Sequence, residues 1–257
     1  MFDSLGDRMK TYEDAFRYVL PPRLPVIVRV DGKAFHQYTD GLDRPFCDKF
    51  SAAMDGVAGY LMSVVQGARL AYIQSDEINL LVHNYATHDT QPWVGGALQK
   101  FASITASVAG AVMTADSPSI FSGRIRLAYF DSRAFVVPEA EVTNYFLWRQ
   151  NDASRNSIQM LARSLASHKE CLNLGQSELQ ELCFQRGKNW NDLPTRYRRG
   201  RCLIREQYEL DDNTIRHRHV VDNEIPIWKG EGREYVEKLL ATETRLPMLD
   251  GEEKSNG

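Results

Sequence analysis

The chain has 257 residues, of which 43% are hydrophobic and 25% charged, with a formal net charge of −3. That apolar supply suits a soluble globular protein, one large domain or a domain with an extension, and no apolar run approaches the ~20 residues of a membrane span. The mild acidity excludes a uniformly basic nucleic-acid coat but leaves room for a local basic face. The polar, acidic opening MFDSLGDRMKTYED lacks a signal-peptide core, so a cytoplasmic location is expected, with no membrane partner. Cys47, Cys171, Cys183 and Cys202 form no C-x-x-C pair and read as free thiols of a reducing compartment. His217 and His219 would share one face of a strand, as surface decoration or as metal ligands.

Residues 25–32, PVIVRVDG, alternate Val26, Val28 and Val30 against Ile27, Arg29 and Asp31, which predicts a half-buried strand. Phe46, Phe50, Met54, Val57, Leu61 and Val64 recur every three or four residues and predict an amphipathic helix over 46–65. LAYIQ (70–74) and INLLVH (78–83), separated by Ser75-Asp76-Glu77, read as a hairpin. Helical spacing returns over 97–114, and RIRLAYF (124–130) reads as a further strand.

The order β-α-β-β-α-β is that of an α+β, ferredoxin-like fold: an antiparallel sheet with helices on one face. Residues 1–137 are expected to form this core. Residues 138–245 are expected to form a helical and basic extension packed on it, and 246–257 a disordered tail. Within the extension, 139–166 read as helical, as one helix or as two around Asp152, and 177–185 as a short helix. The basic, aromatic stretch 186–201 reads as an irregular loop, 202–210 and 214–221 as strands around an Asp211-Asp212-Asn213 turn, and 231–241 as a last helix.

Topology makes a chemical argument. In a split β-α-β sheet the first two strands run the same way, with the third antiparallel between them. The C-terminal end of strand one, at Asp31, then meets the hairpin carrying Asp76 and Glu77. Converging carboxylates repel unless a cation compensates, and hard oxygens at an open site suit Mg²⁺ with substrate phosphates. Two such ions support in-line displacement at phosphorus. Asp-Gly and Asp-Glu are also ordinary turn dipeptides, so spacing alone leaves both readings open. Neither a Walker loop, a dinucleotide fingerprint nor a G-x-S-x-G elbow is present.

FDSLGDRMKTYE, PVIVRVDGKAFHQYT, IQSDEINLLV and GKNWNDLP together resemble the tRNA(His) guanylyltransferase-like family of 3′-to-5′ polymerases, over roughly residues 1–240. The resemblance implies a polymerase-type palm in which Asp31 and Asp76, with the carbonyl of Gly32, hold two Mg²⁺ ions and Glu77 completes a catalytic acidic cluster. It places the nucleotide's triphosphate along Asp31, Gly32, Lys33, Ala34, Phe35 and His36, with Ser75, Asp76 and Arg44; Phe35 and His36 read equally well as packing residues. Lys100 reads as part of a solvated helix face. ATP, GTP and other nucleoside triphosphates are the implied substrates, a tRNA with an incomplete 5′ end the implied partner, and a homotetramer built as a dimer of dimers the implied assembly.

The implied reaction activates a 5′-phosphate with ATP and then lets the 3′-hydroxyl of an incoming nucleotide displace AMP. Members that add a guanylate to tRNA(His) carry an H-I-N-N-x-Y-N motif. Here Ser154 stands at the histidine position while Asn156 is retained, which resembles the bacterial and archaeal-type branch of template-dependent 5′-end repair enzymes. The runner-up is guanylate addition to tRNA(His), followed by a nucleotidyl cyclase and a non-catalytic tRNA-binding protein. Arg196, Arg198, Arg199 and Arg201, interleaved with Tyr197 and preceded by Trp190, are the expected tRNA-binding stretch, joined by Lys188, Asn189, Arg155 and Asn156.

Overall fold

The computed structural model describes residues 4–87, 89–209 and 215–240, with the side chains of 207–217 left aside. Helix α1 (Leu5–Asp14) leads to strand β1 (Val26–Gly32), a single helical turn α2 (Phe35–Tyr38) and α3 (Asp48–Val64). Strands β2 (Ala68–Gln74) and β3 (Glu77–Val82) follow, then α4 (Leu98–Ile120), β4 (Phe130–Val136) and α5 (Glu139–Leu165). The chain continues through α6 (His168–Cys171), α7 (Gln176–Gln185), α8 (Thr195–Arg199), β5 (Arg201–Glu209), β6 (Ile215–Asp222) and α9 (Glu234–Leu240). Among the described residues no helix is long and apolar enough to cross a membrane.

The six strands form one antiparallel sheet in the order β4-β1-β3-β2-β5-β6. Alternation along each strand sorts side chains between two layers. Val26, Val28, Val30, Ile78, Leu80 and Val82 face α3 and α4, where Phe50, Met54, Val57, Leu61, Phe101 and Met113 meet them. Ile27, Leu70, Tyr72 and Leu81 face the other way, against Val142 and Phe146 of α5, Trp228, and Val236 and Leu240 of α9. Each buried side chain of this size stabilises the fold by roughly 1.5–3 kcal/mol. The second half of α5 packs Ile158, Leu161 and Ala162 against Leu179 and Cys183 of α7.

The palm order is that expected, with several corrections. The strand expected at 124–130 lies at Phe130–Val136, because the ladder with β1 sets it: Gly32 pairs with Phe130 and Val26 with Val136. Residues 124–129 precede it without ladder pairing, although Ile125, Leu127 and Tyr129 show the alternation of a strand. Helix α5 runs unbroken past Asp152, whose carboxylate is held by Arg149 and Arg155 on its own helix. Helix α4 continues beyond 114 to Ile120, taking Pro118 into its last turns. The stretch 186–201 is not an irregular loop but a 3₁₀ turn (Trp190–Asp192) followed by α8. Strands β5 and β6 extend the palm sheet itself, β5 pairing with β2. The Asp211-Asp212-Asn213 turn and the 246–257 tail lie outside the described residues.

Gly200, between α8 and β5, has φ +84°, and a Cβ there would lie 2.6 Å from the Tyr72 ring and 2.7 Å from the Ile73 carbonyl. Gly200→Ala is expected to cost about 1–3 kcal/mol of unfolding free energy, measured by denaturant titration. An unchanged midpoint would show that the α8–β2 junction yields without strain.

Candidate active site

The register brings acids together at one end of the sheet. Asp31 lies opposite Glu77 on β3 and opposite Asp131 on β4, and Gly32 N–H donates to the Asp76 carbonyl at 3.1 Å. Ser75, at φ 48°, makes the tight turn that presents Asp76. Burial is the largest cause raising the pKa of Asp76 to about 6, followed by the charge of Asp31. Asp31 is raised as well, by burial and then by Glu77 and Asp131, while Arg29 and Arg133 pull the other way. Two carboxylates that resist ionising next to each other are the electrostatic condition a bound cation relieves.

Glu77 reaches the same end of the sheet but turns into the interface with α5. Arg149 grips both of its oxygens, Nε to Oε1 at 2.7 Å and Nη2 to Oε2 at 2.6 Å. Asn79 and Gln74 also donate to Oε1, at 2.7 and 3.1 Å. Tyr145 extends this buried network by donating to Asn79 Oδ1 at 2.5 Å. Glu77 is therefore the counter-ion of Arg149, and the available acids are Asp31 and Asp76. Among the described residues no three His, Cys, Asp or Glu side chains form a metal cage. Two carboxylates plus the Gly32 carbonyl are nevertheless a hard-oxygen set that fits Mg²⁺, which takes few protein ligands and completes its shell with water and phosphate.

Beside these acids lies a cleft of about 350 Å³ walled by the 39–47 loop, α5 and α8, with His36, Arg44, Ser75, Asn156 and Arg196 on its lining. Gly32 is required where the chain turns into this cleft, since a Cβ would collide with the Phe35 ring. Lys33 and Ala34 are exposed, and Ala34 takes the left-handed conformation that starts α2. The Lys33 amide is committed to the Tyr129 carbonyl at 2.8 Å, so the Ala34, Phe35 and His36 amides are the ones pointing away from the ladders. Phe35 is a core residue, 4.7 Å from the Tyr38 ring and 4.8 Å from Phe130, whereas His36 is exposed. Arg44 is exposed at the rim, 3.9 Å from Asp40. Lys100 is exposed on α4.

The arginine-rich stretch is less available than its sequence implied. Arg201 is buried, bonded to Asp55 and, at 2.6 Å, to the Ser51 carbonyl of α3. Arg199 donates to the Ile225 carbonyl at 3.2 Å, and burial lowers its pKa. Arg196 bonds Asp48 at 2.7 Å, and Tyr197 stacks on Phe46 at 4.4 Å. Arg198 lies 5.9 Å above the Trp190 ring. Arg155 is paired with Asp152, Asn156 is exposed on the cleft wall, and Lys188 and Asn189 are exposed before the 3₁₀ turn. Sequence reasoning missed Asp131, Arg149, Asn79 and Tyr145. Asp131 fell just past the misplaced strand, and the buried arginine carried no signal until α5 was laid over β3.

An antiparallel palm with paired acids next to a cleft of nucleotide dimensions defines a palm-type nucleotidyltransferase. A model of the Thg1 family, described as tRNAHis guanylyltransferase, matches residues 6–138, and the chain belongs to that family. A bacterial tRNA(His) guanylyltransferase (Thg1)-like protein in complex with ATP superposes with TM-score 0.84 at 44% identity, over 93% of this chain and 99% of that one. The corresponding complex with GTP gives 0.81 at 45% identity, with the same shares covered. The tRNA(His) guanylyltransferase of Schizosaccharomyces pombe is 27% identical over 226 residues, 82% of this chain and 84% of its own.

Proposed function

We propose that this protein adds nucleotides in the 3′-to-5′ direction to the 5′ end of a truncated tRNA, choosing each by pairing with the opposite strand. The observation that carries the reading is the meeting of Asp31 and Asp76 beside the cleft. The likeness to ATP- and GTP-bound relatives supports these triphosphates as its substrates. In the first step an oxygen of the RNA 5′-phosphate attacks the α-phosphorus of ATP and pyrophosphate leaves. In the second, the 3′-hydroxyl of the incoming triphosphate attacks the activated 5′-phosphorus and AMP leaves.

Asp31, Asp76 and the Gly32 carbonyl would hold two Mg²⁺ ions, which when bound neutralise phosphate charge and favour loss of the hydroxyl proton. Arg44 and the exposed Lys33 contribute positive charge toward the triphosphate, and the unladdered amides of Ala34 and His36 suit its oxygens. Glu77, held by Arg149, fixes the start of β3 so that Asp76 keeps its place in the turn. A cytoplasmic homotetramer is part of this proposal.

Ser154, half-buried on α5, favours repair over guanylate addition to tRNA(His), since an imidazole is missing where that branch carries one. The test incubates tRNA lacking its first nucleotide, labelled at the 5′-phosphate, with ATP, Mg²⁺ and each nucleoside triphosphate in turn. Extension only by the complement of the opposing base is expected. Guanylate added whatever the opposing base would assign the protein to the tRNA(His) reaction instead.

A further inference from the structure

Trp148 of α5 leaves 51% of its surface exposed, yet its ring is held from behind. The guanidinium of Arg149 lies 4.5 Å from its centroid, and the Tyr145 ring meets it at 5.8 Å and 65°. Both supports belong to the buried network on the sheet: Arg149 grips Glu77, the register partner of Asp31, and Tyr145 bonds Asn79. Two residues further along the strands, on the same face of the sheet, lies a polar row, Arg133–Arg29–Asn79. Arg29 stands in register with Asn79, the partner of Tyr145, and with Arg133, so these cations share the sheet face that carries Asp31. Arg29 Nε is buried without a hydrogen-bond partner, and Arg133 is paired to Asp131 at 2.9 Å.

We propose that Trp148 is a stacking platform for the terminal base of the RNA whose 5′ end enters the active site, with Arg29 and Arg133 facing its phosphates. This rests on the reading that such an RNA end reaches Asp31 and Asp76. The last pair of a stem has one face unstacked, and an indole held rigidly beside the reacting phosphate covers it whatever the base. An exposed aromatic ring whose Tyr145 support is bonded to the Arg133–Arg29–Asn79 row favours a nucleic acid over a second protein surface. The arginines of 196–201, largely tied to protein partners, leave this position to be filled from elsewhere.

The probe is a 5′-monophosphorylated RNA hairpin with a blunt acceptor-type stem, titrated against the full chain with affinity read from a 3′ label. Trp93 and Trp228 are buried and Trp190 half-buried, so tryptophan quenching reports chiefly on Trp148. Wild type is expected to bind with quenching. Trp148→Ala and Trp148→Leu are expected to raise Kd roughly ten-fold, with Trp148→Phe within about two-fold but unquenched. ATP affinity and mass in solution stay unchanged in all three, which separates lost stacking from misfolding. Wild-type affinity in the Ala and Leu variants overturns the platform alone. A fall in mass on substitution overturns it too, assigning Trp148 to a contact between copies. No hairpin binding by the wild type overturns the RNA reading beneath it.

Discussion

Arg149→Met is expected to destabilise the fold by about 3–5 kcal/mol, because it leaves the Glu77 carboxylate buried with only amide donors. The Arg149 and Glu77 side chains are 7% and 9% exposed, so water cannot take over the lost bonds. The double variant Arg149→Met with Glu77→Gln removes both charges and is expected to recover most of that loss. It keeps hydrogen-bonding capacity toward Gln74 and Asn79, and it removes both members of the buried ion pair between α5 and the sheet. Equilibrium denaturation of wild type, the two single variants and the double variant decides the matter. A single-variant loss below about 1 kcal/mol, or a double variant no better than Arg149→Met, would show that the pair is not what holds α5 over β3. Activity of the double variant is expected to fall less than that of Arg149→Met, since Asp31 and Asp76 are untouched.

Asp76→Asn is expected to act on activity rather than on folding. A metal-holding carboxylate supplies several kcal/mol of transition-state charge stabilisation, and each ~1.4 kcal/mol is a decade in rate, so a loss of roughly 10³-fold is expected. The same substitution has a signature without substrate. Asp76 titrates at about 6 in the folded chain against an ordinary 3.8, burial being the first cause and Asp31 the second. Between those values the folded chain keeps a proton that the unfolded chain has released. The contribution of Asp76 to stability in a chelator is therefore fully present below about pH 4, falls as pH rises to about 6, and levels off above. Asp76→Asn is expected to flatten that decline, and added Mg²⁺ to raise Tm at pH 7.5 far more than at pH 4.5. Tm of wild type and variant followed against pH with and without Mg²⁺ tests these expectations, and a variant curve parallel to wild type through pH 4–6 would contradict the assignment.

The palm was legible because its signals are local. Alternation marked β1, β2 and β3, three-and-four spacing marked α3 and α4, and the order of elements then implied that Asp31 and the 75–77 turn meet. The DGKAFH and SDE motifs added the family, and the matching family model bears that resemblance out. The strand of 124–130 misled for a local reason too: Ile125, Leu127 and Tyr129 alternate as well as any strand, yet register with β1 begins only at Phe130. That choice belongs to the partner strand and shifts Asp131 from beyond the strand to a place opposite Asp31.

What the sequence determined by itself is the backbone of the site: the order of the four core strands, the glycine turn after Asp31 and the acidic hairpin. These follow from periodicity and turn chemistry, which act over a few residues. What only the tertiary structure decided is the fate of the charges. Glu77 and Asp76 are neighbours, yet one is the counter-ion of Arg149 seventy-two positions away and the other sits in the turn next to Ser75, which lines the cleft. Arg201 reads like Arg196 in the sequence, yet it is buried against Asp55 while Arg196 stays partly exposed beside Asp48. A charged side chain is read the same way everywhere in a sequence; its role depends on the cost of removing it from water and on the partner that offsets that cost. Both are set by which elements pack together, not by the neighbours along the chain.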